Sequence, residues 1–462
     1  MNYMLPESSI KELKSLIELR NEKHTTQKLK IEYAYMIYGF IINIIMFNKK
    51  NGIEGSVSIH SEALKKIYSR YYLYTNFLVK MNFLYKKNYY KPKGKTNEYD
   101  IHHRFYSDKF EMVKKEKRVK IDYKDMYNSS KHLKPYLFLI ENFKNLNFET
   151  KKALEYTVKL HTDNKINNSQ FLYYNYRIAK IDSKNFDFKR PVTDKRFHST
   201  LTNTPKQLRK FFKCNKKNLF NLDLKNSQPF FLAAILHLII NKDLQVLENL
   251  KAVLLKVKSK KSDIPYNYYK IIKSLMAREF LESEITEINS FIQSTCKGEF
   301  YEYLLKNLNF KRDENNNIYN YKYSAQKKIR EIKYYNKNEE DFLNKRDYAK
   351  NAAFQVFFSS AKTKDSDALQ LKKTLPTVWD ITKVLKGEYS SNFAVLLQNI
   401  ESYIILDLCS KKINKTLKAN IYTIHDSIAT INEFVIDIKD IIINVTKETL
   451  KITPTIEVEE WV

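Results

Sequence analysis

Ile421-Tyr422-Thr423-Ile424-His425-Asp426-Ser427-Ile428-Ala429-Thr430-Ile431 is the stretch from which the fold is read. Apolar β-formers surround a His-Asp-Ser centre, the pattern of two short strands joined by a tight turn. A carboxylate at such a tip is costly to bury unless it meets a cation or a hydrogen-bond donor. A second stretch, Asn221-Leu222-Asp223-Leu224-Lys225-Asn226-Ser227-Gln228-Pro229, follows the apolar Leu219-Phe220. It runs from a strand through a polar turn into an apolar helix, so Asp223 stands at the strand's C-terminal edge, where it can face a ligand cleft.

Singly, each aspartate reads as a turn or cap residue more readily than as a ligand. As a pair from distant parts of the chain, Asp223 and Asp426 are what a two-metal site needs. Nucleotidyl transfer uses one ion to activate a 3′-hydroxyl and another to stabilise leaving pyrophosphate, the two ~4 Å apart and bridged by carboxylates.

A third stretch runs from Lys345 to Phe358. Arg346, Lys350, Phe354 and Phe358 recur at every fourth position, which on a helix makes one stripe drifting only ~40° per step. Its basic half suits a triphosphate and its aromatic half suits a base or sugar. An amphipathic helix with an aromatic core face has the same spacing.

Taken in order, these segments resemble the polymerase core shared by family A DNA polymerases and the single-subunit phage-type RNA polymerases. Asp223 matches motif A, the Arg346/Lys350/Phe354/Phe358 stripe matches motif B, and His425-Asp426 matches the His-Asp of motif C. Upstream, Thr193-Asp194-Lys195-Arg196-Phe197-His198-Ser199 and Asn203-Thr204-Pro205, ending at Arg209, are similar to the stretch that contacts primer and template. The resemblance covers about residues 190 to 462. It implies an α+β right-hand architecture, with an antiparallel palm sheet from 193–240 and about 375–462, and helical fingers at about 241–374.

It also implies roles. Asp223 and Asp426 would bind two Mg²⁺ ions, with Mn²⁺ as the alternative. Arg346 and Lys350 would hold the incoming triphosphate, and Lys350 would protonate the leaving pyrophosphate. Phe354 and Phe358 would pack on sugar and base, while His425 would sit near the primer terminus. Arg196, Asn203, Arg209 and Gln398 would contact the nucleic acid. The implied partners are a DNA primer-template and dNTPs, with NTPs as the other choice.

Departures from the family pattern bear on the sugar. Gln228 occupies the place of the sugar-excluding glutamate and is the expected nucleotide contact there; Phe358-Ser359 replaces Tyr-Gly; and motif C reads His-Asp-Ser, as in the RNA polymerases. Losing the tyrosine hydroxyl removes a donor that would recognise a 2′-OH, which favours DNA synthesis. The alternatives are a phage-type RNA polymerase and a DNA-binding replication or regulatory factor with an inactive polymerase-like core.

The rest of the chain fits a nucleic-acid enzyme. Lysine and arginine number 81 against 52 acids, a formal charge of +29 that calls for a polyanionic partner, although a lysine-rich codon habit inflates the same count. Six glycines exclude a P-loop or dinucleotide fingerprint. Cys214, Cys296 and Cys409 are too scattered for a disulfide framework or metal knuckle, which fits a reducing, intracellular setting. Apolar runs near Tyr35–Phe47 and Pro229–Ile240 fall short of the ~20 residues of a membrane span.

Residues 1–125 read as a helical region with a winged-helix order: strand Val57-Ser58-Ile59, two helices, then two strands joined by Lys91-Pro92-Lys93-Gly94-Lys95. Lys93 and Lys95 at that tip are the expected phosphate contacts. Residues 126–192 read as a helical, thumb-like connector, and Lys311–Lys345 as a mobile insertion or solvated helix. The first 190 residues hold no Asp-x-Glu pair, so proofreading is not expected. The compact plan suits a phage, mobile or defence element.

Overall fold

The computed structural model describes residues 2–24, 26–50, 52, 54–89, 96–114, 132–255, 257–258, 266–306, 314, 319–324, 329–334, 341–359, 366–387 and 390–462. Among the described residues it is a mixed α/β structure in which helices dominate and every strand pairing is antiparallel, in small sheets.

The sheet that organises the C-terminal half has four strands in the order Tyr422–Ile424, Ser427–Thr430, Phe220–Leu224, Ile456–Glu460. Period-2 alternation gives it two unlike faces. Leu222, Leu224, Ile428 and Ile456 join the core around the helix Ser227–Ile240. Tyr422, Ile424 and Ala429 turn to the other side and meet Phe143, Leu146, Leu201, Phe212 and Trp461. Asp223 belongs to this second face, because it alternates with Leu222 and Leu224.

After Ser227 and Gln228 the Ser227–Ile240 helix is apolar all round, and it is buried except at Gln228, His237 and Ile240, which are half-buried. Helices Tyr268–Met276, Glu282–Cys296 and Ser390–Ser402 enclose it. Two helical stretches, Ile31–Lys49 and Ser391–Thr416, are long and apolar enough to cross a membrane by length and composition, and 72% of the second's apolar window is packed inside the fold.

The N-terminal part has its own core, built on Ile31–Lys49. A three-stranded sheet in the order Val57–Ile59, Thr96–Ile101, Leu84–Tyr89 accompanies helices Ser61–Ile67 and Tyr71–Lys80, which is the expected element order. Lys93 and Lys95 lie outside the described residues. Lys49 is fully buried and is neutralised by Asp100 at 3.1 Å, the partner such a charge requires.

One expectation is corrected. Within the supposed mobile insertion or solvated helix, Tyr319–Ser324 and Ile329–Tyr334 pair as an antiparallel hairpin. The alternation Tyr319-Asn320-Tyr321-Lys322-Tyr323 is a β pattern, and its aromatic β-formers outweigh the polar composition that suggested otherwise.

Candidate active site

Sheet register assembles the site. Asp223 pairs with Ser427 on one side and Glu457 on the other, and residues directly opposite in an antiparallel pair share a face. The turn between Ile424 and Ser427 contains only His425 and Asp426, and His425 takes a left-handed backbone with φ of 55°. Such a turn reverses the chain in the least length, so Asp426 arrives beside Asp223.

The two carboxyls are electrostatically crowded. Burial first, then the charges of Asp426, Glu457 and Glu459, push Asp223 up to about 7, with Lys206 opposing. Burial also raises Asp426, against its own backbone N–H, Arg196, Ser227 and Lys350. Without a cation, this pair holds protons toward neutral pH instead of carrying two charges.

Beneath them lies a glutamate that the sequence reading passed over. Glu401, near the end of the helix Ser390–Ser402, has no exposed surface. Arg196 grips it with two bonds of 2.7 Å, Nε to Oε1 and Nη2 to Oε2. Oε2 also accepts from Ser227 Oγ at 3.0 Å and Gln228 Nε2 at 2.6 Å. Burial pushes Glu401 up to about 7 against the pull of Arg196. Only donors surround its oxygens, the setting of an ionised carboxylate. The helix then continues as a π-helical stretch, Tyr403–Ser410, a departure frequent at functional sites. A lone acid in the apolar run from Phe393 to Ile405 was the available signal, because a buried charge must be paired.

Around this group several buried polar atoms lack a hydrogen-bond partner among the described residues: both amide atoms of Asn226, Gln228 Oε1, Asn221 Oδ1 and His425 Nδ1. Asn226 also has a left-handed backbone, with φ of 55°, just before the Ser227–Ile240 helix. Buried polar groups are seldom left unpaired, so this concentration points to a polar ligand.

The stripe lies on the helix Asp341–Phe358. Lys350 is exposed, and its charge reaches Asp426. Arg346 Nε donates to Glu302 Oε1 at 2.8 Å, and its guanidinium lies over the Tyr301 ring at 5.3 Å. Tyr301 is itself within the field of Asp426: burial raises its hydroxyl pKa, Arg346 opposes the rise, and Glu302 and Asp426 add to it. Phe354 and Phe358 stack on one another at 5.5 Å. Glu302 and Tyr301 were missed because their link to Arg346 is purely tertiary.

Other expected residues are tied into the scaffold. His425 meets His198 edge-on at 5.4 Å, and burial, then Arg196 and His198, push it down to about 3, so it is neutral at physiological pH. Arg209 Nε donates to the Thr204 carbonyl at 3.3 Å, and its charge is felt by His425. Asn203 Nδ2 donates to the Ser199 carbonyl at 3.2 Å, and the Asn203 carbonyl accepts from Tyr173. Gln398 lies one helical turn before Glu401. The structure thus gathers Asp223, Asp426, Arg196, Gln228, His425 and Lys350 in one neighbourhood; Asn203 and Gln398 share no contact with either aspartate among those described.

Among the described residues no group of three or more His, Cys, Asp or Glu is arranged to hold a metal ion. The two carboxylates of Asp223 and Asp426 offer hard oxygen donors of the kind a divalent cation takes.

No family model matches the chain, and no curated protein matches it. Among solved structures it is weakly similar, at a TM-score of 0.24 and 10% identity, to the POL domain of Pol1 from M. smegmatis in complex with DNA primer-template and dNTP. That likeness covers 67% of this chain and 56% of the other.

Proposed function

We propose that the chain is a nucleotidyltransferase that extends a nucleic-acid 3′ end with nucleoside triphosphates. Its finer form is a compact DNA polymerase of family A type without proofreading, using dNTPs on a primer-template. In that reading the Asp223/Asp426 sheet is the palm, the Asp341–Phe358 helix belongs to the fingers, and residues 1–125 bind nucleic acid. The observation that carries it is the register that sets Asp223 against Ser427 and so beside Asp426.

Asp223 and Asp426 would hold Mg²⁺, which when bound lowers the pKa of an attacking hydroxyl and neutralises charge on the phosphates. The chain's own residues do the rest. Lys350 presents an exposed cation to a triphosphate and is the proton source for pyrophosphate. Arg346 orients the same phosphates once it leaves Glu302. The stacked Phe354 and Phe358 form an apolar wall against which a sugar or base can rest. Neutral His425 places an imidazole beside the reacting end without adding charge.

The test is extension of a labelled primer-template with Mg²⁺, offering dNTPs and NTPs separately, beside D223N and D426N. Templated extension with dNTPs, lost in both variants, is the expected result. No extension with either sugar, with DNA binding intact, would overturn the reading in favour of a binding factor.

A further inference from the structure

Arg196 stands at a fork between two carboxylates. It is bonded twice to Glu401, and Asp426 is the next acid to act on it: against the cost of burial, Glu401 and after it Asp426 raise its proton affinity. A third acid, Asp194, is already engaged by the Arg196 backbone N–H at 3.1 Å and by His198 Nε2 at 3.2 Å. An unclaimed guanidinium would therefore turn to Asp426. Such a contact would put a fixed positive charge on one of the two carboxylates proposed to take a cation.

Ser227 sharpens the point. Its hydroxyl donates to Glu401 Oε2 at 3.0 Å and is also within hydrogen-bonding reach of Asp426. A hydroxyl has one proton to give, so Glu401 and Asp426 compete for the Ser227 donor. Gln228 likewise turns its N–H toward Glu401 at 2.6 Å. Arg196, Ser227 and Gln228 thus converge on a carboxylate with no exposed surface.

We infer that Glu401 is a positioning residue that holds Arg196 away from Asp426 and so keeps the Asp223/Asp426 pair free for a divalent cation. This rests on the nucleotidyltransferase reading. It explains why a buried ion pair, rarely a net source of stability, lies directly under the candidate site. Glu401 touches neither substrate nor ion in this role; it acts through Arg196.

The test is direct titration of the full-length chain with Mn²⁺, followed by electron paramagnetic resonance, for the wild type, D223N, E401Q and the pair variant R196M/E401Q. With Glu401 neutralised, Arg196 swings to Asp426 and Mn²⁺ affinity falls about ten-fold or more, the scale set by one added charge at short range. R196M/E401Q removes the competitor and keeps acceptors for Ser227 and Gln228, so affinity returns to within about two-fold of wild type. A merely structural role for Glu401 would leave the pair variant as weak as E401Q, and that result overturns the inference. So does E401Q binding Mn²⁺ as wild type does while D223N is impaired. Equal affinity in wild type and D223N would instead remove the metal site itself, and the underlying reading with it. Unfolding midpoints of all four proteins separate loss of fold from loss of site, and the pair variant should lie closer to wild type than E401Q does.

Discussion

Asp223 and Ser427 face one another across two antiparallel strands, and that single register contact sets the Asp223 carboxyl beside Asp426. Burial and the Asp426 charge then push Asp223 up to about 7, against an ordinary value of 3.8. Because the folded-state value is the higher one, the contribution to stability is complete below about pH 4 and is lost as pH rises through about 7. Metal-free protein should therefore lose stability across this window, and D223N should be the more stable protein at pH 8 by roughly 1–3 kcal/mol. Adding Mg²⁺ at pH 8 should raise the unfolding midpoint of wild type but leave D223N unmoved. Thermal unfolding at pH 5 and pH 8, with and without the ion, checks all three statements.

Arg346 is engaged with Glu302 at 2.8 Å, although both side chains remain about one-third exposed. A pair that open is worth little to the fold, about 0–1 kcal/mol, yet under the proposed function it would compete with a triphosphate for the same guanidinium. E302Q should lower KM for the incoming nucleotide about two- to five-fold with kcat little changed. R346A should raise KM about ten-fold or more, since it removes the planar, forked donor. Steady-state primer extension measures both, and a rise in KM for E302Q would show that Glu302 orients Arg346 instead of restraining it.

His425 occupies a left-handed turn position with φ of 55°, where a β-branched side chain is disfavoured. H425V should cost about 1–2 kcal/mol in urea unfolding, whereas H425G should fold at least as well as the valine variant, because glycine adopts that conformation without penalty. If both substitutions cost the same, the loss lies in the imidazole's packing against His198 and not in the turn.

How much of this was legible in the sequence follows the range of the interactions. Asp223 and Asp426 were readable because the β-formers around them fix local strands, and a charged tip in such a setting draws notice. The Arg346-to-Phe358 stripe was readable because helical spacing is local too. Glu401 was legible only as a lone acid in an apolar run; its partners Arg196, Ser227 and Gln228 come from elements far away in the chain, so the pairing itself was not. The strands Tyr319–Ser324 and Ile329–Tyr334 were misread because polar composition was weighed above alternation.

Lys386 gives the last test, in a helix packed against Glu282–Cys296 and Ser390–Ser402. It is fully buried at the end of Pro376–Lys386, its ammonium donates to the Ser359 carbonyl at 3.0 Å, and the Trp379 ring lies 4.8 Å from it. Ser359 directly follows the helix that carries Arg346 and Lys350, so this bond sets a positive charge at that helix's C-terminal end, where its dipole favours a cation. Burial pushes Lys386 down to about 8 from 10.5. Its folded-state value is the lower one, so its contribution is present above about pH 10.5 and is lost as pH falls through about 8. K386M should accordingly be the more stable protein at pH 7 by roughly 1–3 kcal/mol, with the gap closing toward pH 10.5. The same substitution releases Ser359, so kcat/KM for nucleotide addition should fall even as stability rises. Chemical unfolding at pH 7 and pH 10, beside primer extension at pH 7, measures both signs. A K386M protein that is less stable at pH 7 would mean that the Ser359 and Trp379 contacts outweigh the cost of burying the charge.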